Sequence, residues 1–396
     1  MGSCIIADDF TGQMNDSTED QDPAGQPVKG YNGLKNQGAT CYLNTVLQVF
    51  FMTPEFRTAI NGMEEESEGS VSFQLRTLFE GLEQGHACVE TKGIVKSLGI
   101  VNVYEQRDAE EFFQRILNAV SRDASKFFQG TLIHTTKCLK CNFLSEEDKS
   151  QFLDIPLSVN VQHNELYNIE DALEEFFRTS QMTGEDQLYC DNCEDKTDTE
   201  MGCCLGEMPD ILSLHLKRFD YDFYQESYVK IECPVNIPLT IQFKMKPQKY
   251  ELYALCNHIG SYRGGHYVAN IKSLDDGKWY IFDDTEVKFK SMPSYQEPEQ
   301  HENDYQIIMK TSIHYIRSQD AYLLLYRVVS ENGDHDATDG VPNLQTGQAE
   351  DSENCVGQRS NRTDKAPRCG RRKTKKKKKK GKISGKISGK KRRNRK

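Results

Sequence analysis

An α+β fold is predicted by two periodicities and by the order in which they occur along the chain. Apolar residues recur at helical spacing in Leu43, Val46, Leu47, Phe50 and Phe51, and again in Ala109, Phe112, Phe113, Ile116, Leu117 and Val120. Later, Leu212, Leu214 and Leu216 alternate with Ser213, His215 and Lys217 at the period of a strand. Helices first and strands afterwards segregate the two kinds of element, as α+β architectures do.

In chain order, residues 1–29 are polar and acidic and are expected to be disordered, because they cannot bury enough apolar surface to offset their ordering entropy. The folded unit is expected over residues 30–329. Its first helix should open at Thr40-Cys41 with Thr40 as N-cap, run on one apolar face, and stop before Pro54. A second helix should run from Asp108 to Val120 with Asp108 near its start. The runs HYVANI, WYIFDD and AYLLLYRVV read as strands, the first two joined by the turn signal Asp275-Asp276-Gly277. Residues 330–370 read as a disordered linker and 371–396 as a polybasic tail.

Charge divides the chain sharply. Arg371–Lys396 holds 17 of the 50 Lys and Arg residues and no acid, so the preceding 370 residues set 33 basic side chains against 60 acidic ones, a formal charge of about −27. Such a body favours basic partners and argues against a nucleic-acid module, while the tail suits an import receptor, RNA or acidic lipid. The N-terminus lacks a signal-peptide pattern and no window offers the ~18 apolar residues of a bilayer span. A soluble protein of cytoplasm and nucleus is therefore expected, and its 13 cysteines should be reduced thiols serving chemistry or metal.

Cys41 falls in the first turn of the first helix, where the positive end of the macrodipole favours thiolate over thiol. Asn36, five residues upstream in GLKNQGATCYLN, could donate its amide to an oxyanion, and Gly33 and Gly38 permit close backbone turns beside it. In RGGHYVANIKSLDDGKWYIFDD, antiparallel pairing should bring His266 beside Asp283, whose carboxylate would hold the imidazole tautomer so that the other nitrogen faces a thiol.

The segments GLKNQGATCYLNTVLQ, QRDAEEFF, ILSLHLKRFD, GGHYVA, WYIFDD and AYLLLY, in this order between about Tyr31 and Val329, resemble the motif boxes of the ubiquitin-specific proteases. FMTPEF and LKRFDYD are further similar to the branch of ubiquitin-specific protease forty-seven. The resemblance implies a papain-like cysteine protease with thumb, palm and fingers subdomains that hydrolyses the bond after the C-terminal glycine of ubiquitin. It assigns Cys41 as nucleophile, Asn36 as oxyanion donor, His266 as base and Asp283 as its orienting acid, with Asp284 second to Asp283 for that role. It also implies that Asp108 contacts the tail of ubiquitin and that Tyr262, Gly264 and Gly265 border a passage selecting glycine. The alternative is a catalytically silent scaffold that binds ubiquitin.

Cys138-x-x-Cys141 and Cys190-x-x-Cys193, separated by 48 residues, supply four thiolates suited to one structural zinc ion. The separation exceeds that of a compact ribbon, and the resemblance accounts for it by a fingers subdomain. Adjacent Cys203 and Cys204 are expected to be free thiols, and His134 and His163 ordinary side chains. No catalytic cofactor is expected.

Overall fold

Proline and a run of buried apolar side chains delimit the element on which the molecule is built: α1 (Cys41–Phe51) ends ahead of Pro54, which opens α2 (Pro54–Asn61) at a position where a missing N–H costs nothing. The structure, a computed structural model, describes residues 30–63, 67–85, 88–159, 167–246, 248–296, 307–309 and 314–329. The expectations for residues 1–29 and 330–396, and for His163, lie outside these. No helix among the described residues is long and apolar enough to cross a membrane.

With α3 (Val71–Glu83), α4 (Lys92–Ser97) and α5 (Ala109–Ala119), the first third of the chain is helical. α1 departs from the one-faced helix expected, since all of its residues are buried, Asn44, Thr45 and Gln48 included. Its polar side chains hold neighbouring backbone: Gln48 Nε2 donates to the Asn32 carbonyl at 2.9 Å, and Asn44 Nδ2 reaches the Leu34 carbonyl at 3.4 Å. α5 is the amphipathic helix that the pattern requires, burying Ala109, Phe112, Phe113, Ile116 and Leu117. Phe113 stacks on Phe50 of α1 with ring centroids 5.2 Å apart.

The rest is mostly sheet. The central sheet of nine strands runs in the order Glu286–Phe289, Trp279–Asp283, Gly264–Lys272, Lys249–Ser261, Ala321–Val329, Ile211–Lys217 and Ile155–Ser158, with Thr240–Phe243 branching from Lys249–Ser261 and Ile308–Met309 pairing with Thr240–Phe243. All of its pairings are antiparallel except Ile211–Lys217 with Ile155–Ser158. Helices cover one face, where Tyr253, Tyr267, Tyr280, Phe282 and Tyr322 join the helical core. A second core on the other face gathers Leu212, Leu214, Leu216, Leu255 and Leu324. Because both faces are covered, Ser213 is buried as fully as its leucine neighbours.

A separate four-stranded antiparallel sheet, ordered Leu144–Phe152, Gly130–Cys138, Thr199–Leu205 and Ser180–Met182, carries the first cysteine pair at the end of its second strand. Helices before strands, with a cysteine-bearing helix laid against the central sheet, is the α+β arrangement expected.

Candidate active site

The N-terminus of α1 and two adjoining strands of the central sheet converge on Cys41. The thiol residue is the first of α1 and only 4 % exposed. Thr40 occupies the N-cap position but makes no side-chain cap. Its hydroxyl instead accepts from Gln37 N at 2.9 Å and donates to Asn36 Oδ1 at 3.2 Å, so it shapes the loop entering the helix. Asn36 Oδ1 also accepts from the backbone N–H groups of Gly38 and Thr40, at 2.9 and 3.0 Å. With the oxygen fixed by these donors, Nδ2 is the end of the amide that is left to donate outward.

His266 and Asp283 meet across the strands Gly264–Lys272 and Trp279–Asp283. They are diagonal neighbours rather than directly opposed, because the ladder pairs Ala269 with Phe282. His266 Nε2 lies 2.6 Å from Asp283 Oδ1, which leaves Nδ1 for the thiol. A hydrogen bond with Cys41 and, after it, one with Asp283 overcome desolvation and raise the His266 pKa to about 9. The imidazolium is thus favoured next to the sulfur.

Asp284 serves another partner. It adopts a left-handed backbone conformation, φ 49°, and its carboxylate accepts from Asn36 Nδ2 at 2.9 Å and from Asn44 Nδ2 at 2.7 Å. The backbone of this turn accepts from Leu34 N at 2.6 Å, and a Cβ on Gly33 would stand 2.3 Å from the Thr285 carbonyl oxygen. Glycine at 33 therefore lets the loop before α1 dock on the turn after the Asp283 strand.

Asp108 caps α5, its Oδ1 accepting from Glu110 N at 2.7 Å, while Oδ2 accepts from the Tyr322 hydroxyl at 2.5 Å. Two residues earlier, Gln106 grips the Gly265 peptide from both sides: Nε2 donates to the Gly265 carbonyl at 2.7 Å, and Gly265 N donates to Oε1 at 3.0 Å. A Cβ on Gly265 would lie 2.2 Å from His258 Nε2. Tyr262 is 45 % exposed and stacks on Tyr228 at 5.0 Å, beside Gly264. Gln106, Asn44 and Tyr322 are the contributors that pattern reading missed. Each stands inside a quoted motif, Asn44 in GLKNQGATCYLN, Gln106 in QRDAEEFF and Tyr322 in AYLLLY, but residue type alone did not mark their partners.

The four expected metal-ligating cysteines come together away from this site. Their sulfurs lie within 4.8 Å of one another, with Cys138 to Cys193 at 3.9 Å and Cys141 to Cys190 at 3.7 Å. Tetrahedral zinc with bonds of ~2.3 Å to sulfur sets S···S edges of about 3.8 Å, so these residues could bind zinc. Both turns are alike: each Cys-x-x-Cys is followed by a residue in the left-handed region, Asn142 at φ 57° and Glu194 at φ 53°. Cys203 and Cys204 lie on the strand Thr199–Leu205, outside the cluster, and His134 Nε2 contacts Ser150 Oγ at 2.8 Å.

A cysteine at a helix N-terminus, an imidazole hydrogen-bonded to a carboxylate, and an amide held at the same loop form a constellation able to perform nucleophilic acyl transfer. The family model "Ubiquitin carboxyl-terminal hydrolase" matches residues 32–326. The chain belongs to that family. Its papain-like cysteine protease fold agrees with the helix-borne cysteine and sheet-borne histidine described above. The chain is 28 % identical to Ubiquitin carboxyl-terminal hydrolase 47 of Drosophila melanogaster, over 81 % of this chain and 26 % of the relative. With Ubiquitin carboxyl-terminal hydrolase 47 of Xenopus tropicalis it shares 29 % identity over 65 % of this chain and 25 % of that protein. Ubiquitin carboxyl-terminal hydrolase 5 of Schizosaccharomyces pombe matches at 30 % over 81 % of this chain and 30 % of its own length. The recurrence of hydrolase 47 among these relatives supports the branch suggested by FMTPEF and LKRFDYD, and the chain spans between a quarter and a third of the length of the relatives cited.

Proposed function

We propose that this chain is a thiol-dependent deubiquitinase that hydrolyses the isopeptide or peptide bond after the C-terminal glycine of ubiquitin. The observation that carries this reading is the His266 imidazole held between Asp283 and Cys41 at the N-terminus of α1. In the reaction, the Cys41 sulfur attacks the glycine carbonyl carbon, and the developing oxyanion accepts a hydrogen bond from the Asn36 amide. His266 then protonates the leaving amine, and the thioester remains on Cys41. His266 next takes a proton from water, hydroxide adds to the thioester carbonyl, and ubiquitin leaves with a free carboxylate. Asp283 holds the imidazole throughout; Asp284 acts by positioning Asn36.

On this reading the helices α1–α5 form the thumb, the central sheet the palm and the four-stranded sheet the fingers. A narrow passage runs past Tyr262, Gly264 and Gly265, and Asp108 offers its charge to the basic tail of ubiquitin. Zinc on Cys138, Cys141, Cys190 and Cys193 would tie the two turns of the fingers together, with no position open for substrate. The polybasic tail would serve import or attachment to RNA or acidic lipid, giving a distribution between cytoplasm and nucleus.

The decisive experiment is release of a fluorophore from the ubiquitin C-terminus by the purified chain and by Cys41→Ser. Release by the first alone supports the reading. Silence from both, with ubiquitin still bound, would replace it by the scaffold.

A further inference from the structure

Asn44 stands one helical turn after Cys41, is 2 % exposed, and lies on a helix whose every residue is buried. Its Oδ1 is enclosed and has no hydrogen-bond partner among the described residues. A buried acceptor left unfilled is destabilising, and an apolar side chain of similar volume would avoid that cost.

The other end of the amide shows what is gained. Nδ2 donates to Asp284 Oδ1 at 2.7 Å and reaches the Leu34 carbonyl at 3.4 Å. Asp284 Oδ2 accepts from Asn36 Nδ2 at 2.9 Å. Each oxygen of the carboxylate is therefore bonded to one amide, the first from the nucleophile helix and the second from the loop before it. A backbone bond closes the ring, since Leu34 N donates to the Asp284 carbonyl at 2.6 Å.

A contact with Asn36 alone would leave the carboxylate free to turn about its Cβ–Cγ bond, a torsion with broad minima. Held at both oxygens it has one orientation, and the Asn36 hydrogen that it accepts is placed with it. Covalent geometry then directs the second Asn36 hydrogen, because Gly38 N and Thr40 N fix the amide oxygen. Cys41 and Asn44 belong to the same turn of α1, so the sulfur and the oxyanion donor share one rigid frame.

We propose that Asn44 is a positioning residue for the oxyanion donor: from the nucleophile helix it fixes the Asp284 carboxylate, and through it the Asn36 amide. The proposal rests on the protease reading and deepens it by a residue that acts through two others.

The test is a double-mutant cycle on the full chain, read as fluorophore release from the ubiquitin C-terminus and as side-chain NMR of Asn36. Asn44→Ala should lower kcat by about tenfold with KM changed less than about threefold, the split expected when a donor to the transition state is loosened. In the Asn36→Ala background the same substitution should cost almost nothing further, whereas general damage to α1 would be felt again there. Exchange of the two residues supplies a rescue. Asn44→Asp combined with Asp284→Asn reverses the polarity of their bond, and the amide oxygen introduced at 284 can still accept from Asn36; asparagine tolerates the left-handed backbone there, φ 49°. The exchanged chain should exceed Asn44→Asp alone in kcat by about tenfold, because the single variant sets two carboxylates against each other. Thermal melting verifies that each variant is folded. Unchanged kcat in Asn44→Ala overturns the proposal, as do equal losses with and without Asn36. In the NMR arm, the two Asn36 Nδ2 protons should be well separated in the native chain, where one of them meets a carboxylate, and Asn44→Ala should draw them together. An unmoved Asn36 amide also overturns the proposal. That readout needs no turnover, so it is decided separately from silence of the native chain, which would remove the protease reading.

Discussion

The Asn36 amide is joined to the Asp284 carboxylate by a 2.9 Å hydrogen bond, while the amide oxygen is occupied by the backbone of the loop before α1. One amide hydrogen is thereby spent on orientation and the other is free to meet an oxyanion. Asn36→Ala should lower kcat by ~10²-fold with little change in KM, the usual cost of removing one oxyanion donor. Asp284→Ala should lower it less, and the double variant should be no worse than Asn36→Ala alone. Additive losses in steady-state kinetics would mean that the two residues act separately.

The raised His266 pKa, about 9, has the hydrogen bond to Cys41 as its first cause. Histidine NMR of the native chain should therefore show one imidazole titrating near that value, and Cys41→Ala should return it toward ~6.5. A pKa raised in the folded state contributes stability that is complete below the unfolded value and disappears as pH rises through the folded one. The native chain should accordingly lose its stability advantage over Cys41→Ala between about pH 6.5 and pH 9. A melting difference that is flat across this window would contradict the pair.

Gly265 has no room for a side chain, because an added Cβ would stand 2.2 Å from His258 Nε2 and 2.7 Å from the Ile259 carbonyl oxygen. Gly265→Ala must push the strand away from its neighbour and so displace His266, the next residue. Activity should fall by ~10²-fold or more, as about 1 Å of misplacement can cost that much. Gln106→Ala, which removes the clamp but adds no bulk, should cost less. The reverse order of effects would show that the clamp, and not the steric fit, sets the geometry.

What could be read beforehand follows from what periodicity encodes. The helices around Cys41 and after Asp108, the strands of His266, Asp283 and Ala321, and the paired cysteines each carry a local signal in residue type and spacing. The partners of those residues do not. Asn44 and Gln48 look like the exposed face of an amphipathic helix, yet both are buried because the loop of Asn32 and Leu34 folds over them and uses their amides. Thr40 looks like a cap, but its hydroxyl oxygen accepts from Gln37 N in the tight loop and its proton goes to Asn36 Oδ1. Asp284 could be ranked second to Asp283 for orienting the histidine, but its partners Asn36 and Asn44 could not be read, because they depend on a left-handed turn that is invisible in the alternation. Contacts 3 to 16 residues apart decide the first two cases, through loop geometry that has no periodicity, and contacts more than 200 residues apart decide the last.

Zinc should be held by the chain in a ratio near one, with Cys190→Ser losing most of it. Loss of the ion removes the tie between the turns at Cys138 and Cys190 but touches nothing near Cys41. KM for a ubiquitin substrate should therefore rise, with kcat changed less than about threefold. Metal analysis and kinetics on the same preparation decide the point, and an equal fall in kcat would place the ion's influence at the chemical step.

Arg218 is wholly buried although it follows a strand whose pattern suggests only a polar edge. Its Nε donates to the Ala321 carbonyl at 2.6 Å, and Nη1 donates to the carbonyls of Ile231 and Cys233 at 2.9 and 2.8 Å. Burial lowers its pKa to about 10, which still leaves it charged at neutral pH. The side chain ties the segment after the hairpin of Phe219–Asp222 and Ser227–Lys230 to the start of Ala321–Val329, the strand that carries Tyr322 against Asp108. Arg218→Met keeps the apolar stem and strands four carbonyls, that of Ser318 included, so it should destabilise the chain by about 3 kcal/mol or more. Arg218→Lys retains charge but reaches fewer acceptors, and should fall between the two. Denaturant unfolding measures both. If Arg218→Met lies within about 0.5 kcal/mol of the native chain, the span of a surface substitution, the buried fork is not what joins these segments.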